Sequence, residues 1–313
     1  MSQFDLTTLE DFKDFIRKDS SNTDQDDVIK KMITKSSLRM ESYCRRKFRA
    51  RTLVDYYDGE GYDTLFVDDF PIISVTSLYD DSTRAWASTT LKAATDYAIL
   101  SGEGEIKLLP TAVKGSTFAK GIQNIKLTYV AGYDEFVVTE DVNDAIDFKE
   151  NSGAEKNATL DPGTYTANEL ATEIKTQMDD AGDYVYTVTH DKISGKFKIA
   201  STGTSLLLMC NTGTYAYKGA YDMLGWDTDN DATNTNPVEA DFGVLGIPQD
   251  LVNACNLLTL RLYNDSGLGG DRFDLAKKDT TTGSSSGSTT EFVGGEMPPE
   301  VASILLKYLK ELS

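Results

Sequence analysis

Cations, histidine, cysteine and long apolar runs are all scarce in this chain, and each scarcity removes a class of function. Lys+Arg number 31 against 50 Asp+Glu, giving a formal net charge of −19 over 313 residues and an isoelectric point near 4.4. A surface of that sign repels phosphate backbones, which argues against a dedicated nucleic-acid-binding role. The single histidine, His190, ends an alternating segment, where a sheet-edge or turn residue is a simpler reading than a metal ligand or base. Cys44, Cys210 and Cys255 are odd in number and far apart, which suits buried free thiols in a reducing compartment better than a disulfide framework. No basic segment followed by an apolar run opens the chain, and stretches such as residues 206–210 are far too short to span a bilayer. The expectation is a soluble chain with no membrane partner.

Catalytic and ligand-binding signatures are equally thin. No serine or cysteine has a sequence cue for an activating base, and nothing singles out an acid pair among the carboxylates. Gly102-Glu103-Gly104 and the glycines at 267, 269 and 270 match neither phosphate-cradling fingerprint. Asp227-Thr228-Asp229-Asn230-Asp231 opens like a calcium loop, yet Ala232 stands where glycine is needed and Val238 occupies the twelfth position. The expectation is a non-enzymatic protein without cofactor or metal.

What is present is enough apolar sequence, 40% of residues, for two cores. Residues 247–264 are apolar on nearly every side. Pro248 and Asp250 mark a helix start there. Leu251, Cys255, Leu258 and Leu262 form one stripe, while Val252, Leu257, Leu260 and Tyr263 populate the other side. Such a helix has two partners, its own core and a neighbouring subunit. At the other end of the chain, Thr7 and Glu10 suggest a capping box for a short helix, and Thr23 with Asp26 opens a longer one over about residues 24–46. The latter ends in Arg45, Arg46, Lys47, Arg49 and Arg51. These five cations either complement the helix end and pair with acidic neighbours, within or between subunits, or form a patch that meets DNA or another protein.

From residue 52 the period changes to two, with strands over 53–57, 64–67, 73–79, 97–100, 105–108 and 124–130 punctuated by Gly and Asp. Residues 141–241 differ in texture, with 7 lysines, no arginine and 18 carboxylates, a local charge of −11. A second capping box, Thr166 with Glu169, precedes a helix carrying Leu170, Ile174 and Met178, and alternating strands follow, so this stretch reads as βαββ-like. Its aromatics Tyr184, Tyr186, Tyr215, Tyr217, Tyr221 and Trp226 suggest either core packing or a carbohydrate- or surface-binding face. Residues 279–290 form a polar linker. Pro298-Pro299-Glu300 then starts a last helix, with Met297, Pro298, Val301, Ile304, Leu305, Tyr308, Leu309 and Leu312 as its apolar docking set. A lone tethered helix of this kind wants a groove to lie in.

The fold class expected is α+β. A helical core with a small antiparallel sheet (residues 1–140 and 242–278) is interrupted by an inserted α+β domain (141–241). A linker (279–296) and a C-terminal arm helix (297–313) follow. Five blocks stand in a recognisable order: Tyr43-Cys44-Arg45-Arg46-Lys47-Phe48, Tyr57-Asp58-Gly59, Phe70-Pro71-Ile72-Ile73-Ser74-Val75, Tyr129-Val130-Ala131-Gly132-Tyr133 and Ile247-Pro248-Gln249-Asp250-Leu251. Together they resemble the head-to-tail connector (adaptor) proteins of tailed bacteriophages. In that family the Ala-Gly-Tyr strand end is followed within a few residues by the Ile-Pro-x-Asp-Leu helix; here 113 residues intervene, which marks the insertion. The resemblance covers residues 1–133 and 247–313. It implies a virion neck protein made in the host cytoplasm, forming a ring, commonly of twelve subunits, beneath the portal. The C-terminal arm would dock on the portal, a downstream neck or tail protein would lie below, and DNA would cross the bore without sequence-specific binding. An acidic wall suits such a conduit.

Overall fold

The computed structural model describes residues 1–232, 234–266 and 297–309, and the expectations for residues 279–296 and for Leu312 lie outside them. Thr8, one residue later than expected, caps α1 (Leu9–Phe15) by accepting the Asp11 N–H. Thr7 instead donates its hydroxyl to the Asp11 carboxylate at 2.7 Å. α2 (Asp26–Cys44) has Gln25 at its N-cap with no side-chain cap, so Thr23 does not open it, and Arg45 closes it at φ 55.

β1 (Arg51–Gly59), β2 (Thr64–Phe66), β3 (Ile72–Asp80), β4 (Tyr97–Leu100), β5 (Glu105–Leu108) and β6 (Gly121–Ala131) make two antiparallel sheets, β1-β6-β3 and β2-β5-β4. Ile125, Leu127 and Tyr129 share the inward face of β6 and pack with Leu65, Leu78 and Ile106, as a period of two requires.

The following stretch holds β7 (Phe136–Val138), β8 (Ala145–Glu150), β9 (Glu155–Thr159), β10 (Gly163–Tyr165), α3 (Ala167–Ala181), β11 (Tyr186–His190), β12 (Phe197–Ser201), β13 (Leu206–Leu208), α4 (Tyr221–Leu224) and β14 (Val238–Glu239). They form three small antiparallel sheets, β10-β7, β13-β8-β9 and β11-β12-β14. This corrects the βαββ-like reading of residues 141–241, because three strands of that stretch, β8, β9 and β10, precede α3. β8 is buried on both faces, including the polar Asp147 and Glu150. Asp147 is stabilised by accepting from Asn157 Nδ2 at 2.7 Å and the Tyr215 N–H at 2.6 Å, because a buried carboxylate must be hydrogen-bonded. The capping box of Thr166 and Glu169 is present. Packing of this region reaches back to Phe136 and Val138 and forward to Ala240, beyond the change in composition at 141.

α5 (Gln249–Asp265) and α6 (Pro299–Leu305) complete the fold. Pro248 is the N-cap of α5 rather than its first helical residue. Leu6, Met40, Cys44 and Phe48 close one cluster with Leu251, Cys255 and Leu258 of α5 and with Val301, Leu305 and Tyr308. Each fully buried leucine contributes roughly 1.5–3 kcal/mol. A polar seam runs through it, with the Thr259 and Ser36 hydroxyls 2.9 Å apart and Ser37 3.5 Å from Cys255. Leu262, expected on the same stripe, is only half-buried; beyond Leu258 it is Tyr263 that packs inward, edge-on to Phe12.

The C-terminal stripe is a correction too. Its groove is supplied by this same chain: Val301, Leu305 and Tyr308 are buried, and Pro298 with them, while Met297, Ile304 and Leu309 pack alongside half-buried. The Tyr308 hydroxyl donates to Asp250 at 2.7 Å, and Lys307 pairs with the same carboxylate.

Candidate functional site

Four of the five sequence blocks meet at one place. Arg46, only 4% exposed, lies 3.7 Å from the Phe70 ring centroid, 5.6 Å from Phe48 and 5.8 Å from Tyr133, and donates to the Phe70 carbonyl. Tyr308 stands edge-on to Phe48 at 5.7 Å and to Tyr133 at 6.2 Å, and Ile247 packs against the same cluster. A guanidinium can be taken from water this way because aromatic faces and a carbonyl replace its hydration. Burial pulls its pKa down, with Tyr133 and Asp69 opposing.

Gly132 explains the Ala-Gly-Tyr block. Its φ is +115, and a Cβ there would stand 2.7 Å from the Arg49 and Ala50 backbone. That closeness lets the Tyr133 N–H donate to Phe48 O at 2.6 Å and the Ala50 N–H to Tyr133 O at 3.1 Å. The position therefore demands glycine.

The remaining cations divide. Glu41, buried and unremarked in the sequence, accepts from the Phe48 N–H at 3.2 Å, from Lys47 at 3.4 Å and from Arg51, while Arg51 also stacks 4.0 Å over Phe4. Arg49, 5% exposed, donates to the Lys192 carbonyl at 3.5 Å. Burial pulls its pKa down to about 10 against the pull of Asp134 and Asp5. Arg45 alone of the five is exposed. A basic patch open to DNA is thus corrected: Arg46 and Arg49 are interior, and Lys47 and Arg51 are paired within the chain.

Arg49 also reaches the region beyond β6. Lys196 crosses the same junction to Glu10 at 2.9 Å. His190 Nε2 lies 3.1 Å from Gly195 O and 2.9 Å from Val244 O. Facing two acceptors it must carry the proton, which leaves Nδ1 buried without a partner. Burial lowers the His190 pKa, and Arg49 adds to that, while the Val244 and Gly195 carbonyls and Asp134 oppose. A groove of about 280 Å³ opens beside the junction between Thr8, Asp11, Phe136, Met223 and Val252. Its Asp11 carboxylate is taken up by Thr7 and by Asn256 at 3.0 Å.

The other candidate features serve the fold. Tyr186, Tyr221 and Trp226 are core residues, which corrects a binding face built on all six aromatics; Tyr217 is exposed and Tyr184 binds Asn151 at 2.6 Å. Asp227 caps its own loop through the Asp229 N–H at 2.9 Å, and Asp231 accepts the Asn211 and Thr212 N–H groups, both at 2.9 Å. All three cysteines are buried and free, with burial pushing Cys44 up to about 11 and Cys210 and Cys255 up to about 12. Among the described residues no group of three metal-ligating side chains converges, and no helix is long and apolar enough to cross a membrane.

No curated protein matches the chain. A similar solved structure is a chain of the "Neck of empty GTA particle computed with C6 symmetry", at 16% identity and a TM-score of 0.30, covering 40% of this chain and 64% of that one. Residues 5–148, from just before α1 into β8, match the family model of the head completion protein; four of the five motif blocks lie in that segment and the fifth, at 247–251, lies beyond it.

Proposed function

We propose that this protein is a non-enzymatic structural component of a tailed-phage head-to-tail junction. It forms a ring, commonly twelve-fold in the family it resembles, beneath a portal protein and above a downstream neck or tail protein. DNA crosses the bore without sequence-specific contacts; the chain is acidic overall, at −19, and stays at −8 without residues 141–241, a sign that repels phosphate. The observation that carries the reading is the head completion match over residues 5–148. The convergence of the motif blocks on Arg46 supports it, because that knot fixes α2, α5 and α6 as one rigid frame.

In this reading residues 134–246 are an insertion into a domain completed by α5 and α6. Contact with the portal falls on what α6 leaves outward, Leu306 and the half-buried Met297, Ile304 and Leu309, rather than on Val301, Leu305 and Tyr308. Electron microscopy of the purified protein, alone and with its portal, should show closed rings that stack on the portal. A protein that stays monomeric and never joins the portal would end the reading.

A further inference from the structure

α2 turns its cations away from the core. Ile29, Ile33, Ser36, Met40 and Cys44 are buried, whereas Lys31, Lys35, Leu38, Ser42 and Arg45 are exposed. Lys31, Lys35, Leu38 and Ser42 fall at i, i+4, i+7 and i+11, a single stripe about 17 Å long, and Arg45 closes the helix just beyond it. Residues 30–51 contain nine cations and one carboxylate, Glu41, and Glu41 faces inward to Lys47 and Arg51. Within the helix, Asp27 stands 3.9 Å from Lys30.

Apolar groups are set among these cations: Leu38 is 58% exposed, with Val28 and Tyr43 also outward. A phosphate backbone would use the lysines and leave Leu38 in water, whereas a protein face uses both. This chain carries a complementary face. Along α3, Glu169, Thr172, Glu173, Thr176 and Asp180 fall at i, i+3, i+4, i+7 and i+11, about 17 Å of helix. The helix's lysine, Lys175, is held by Asp179. The Thr172 and Thr176 hydroxyls donate to the Asn168 and Thr172 carbonyls, each at 2.9 Å, which leaves apolar methyl groups between the carboxylates.

We propose that the outward stripe of α2 docks on the acidic face of α3 in a second copy of this chain. The two faces are different surfaces, so the contact is heterologous and repeats around a ring. The proposal rests on the ring reading above and adds to it which surfaces meet.

Sedimentation velocity tests it on four samples: wild type, Lys31→Glu/Lys35→Glu, Glu173→Lys/Asp180→Lys, and an equimolar mixture of the two variants, each checked for an unchanged melting temperature. Raising salt from about 0.05 to about 0.5 M should weaken wild-type assembly, since exposed charge pairs are screened. Each variant alone should assemble at least about tenfold more weakly, and the mixture should recover, because every α2–α3 contact in an alternating ring is again of opposite sign. If a variant fails to melt like the wild type, the neutral Lys31→Gln/Lys35→Gln and Glu173→Gln/Asp180→Gln pairs take its place, with weakened assembly of each required. Wild-type rings with unaffected variants, or a mixture that stays dissociated, would overturn the docking and leave the ring standing. A wild type that is monomeric throughout would overturn both. Loss of duplex DNA binding in the α2 variant with assembly intact would assign the stripe to nucleic acid instead.

Discussion

Residues 136–240 close their core within one continuous stretch, whereas the helical cluster exists only when residues 6–48 meet 251–258 and 301–308. The first region is acidic, stitched by carboxylates that accept backbone N–H groups; the second is apolar with a buried cation at its centre. The difference teaches how a long insertion can be tolerated. Loop-closure entropy grows only logarithmically, about 0.6 kcal/mol per doubling of length, so 113 residues between Tyr133 and Ile247 cost the helical cluster little. A core that closes within its own stretch should in turn form without waiting for the cluster.

Breaking that independence is the sharpest way to test it. Leu258→Glu puts a carboxylate into a fully buried site and should cost at least about 4 kcal/mol of helical-cluster stability. In a Trp86→Phe background, the urea midpoint read from Trp226 fluorescence should stay within error of wild type while far-UV circular dichroism loses α2 and α5. Arg49→Met removes the buried cation that donates to the Lys192 carbonyl and attracts Asp134 and Asp5, at about 2 kcal/mol. Its signature is faster proteolysis between the two regions with each still folded. Thr166→Ala deletes the cap of α3 and should cost about 1 kcal/mol, seen in the Trp226 transition alone.

The smallest effect is that of pH. Because the folded pKa of His190 lies below its ordinary value of 6.5, the folded state binds fewer protons than the unfolded one. Its contribution is therefore complete above about pH 6.5 and is lost as pH falls below it. His190→Asn should flatten the stability profile in that window.

Much of this arrangement was legible in the chain. Helical spacing exposed α2 and α5, period two exposed β6, and the Thr166-x-x-Glu169 box placed the start of α3. The rest depended on tertiary partners. Arg46 and Arg49 read as surface cations because arginine is rarely buried, and nothing local announces a ring of Phe48, Phe70 and Tyr133. The arm read as partnerless because its groove is assembled from α2 and α5, remote in sequence. β9 and β10 escaped because they are short and mostly polar, with Ala158 the one buried side chain between them.

Native-state hydrogen exchange on the intact protein across rising denaturant tests the central claim most directly. Amides of α2, α5 and α6 should lose protection together, as one unit, while those of β8, α3 and β12 open at a different free energy. A single opening shared by both sets, or an α6 that exchanges without protection while α2 and α5 hold, would contradict the account.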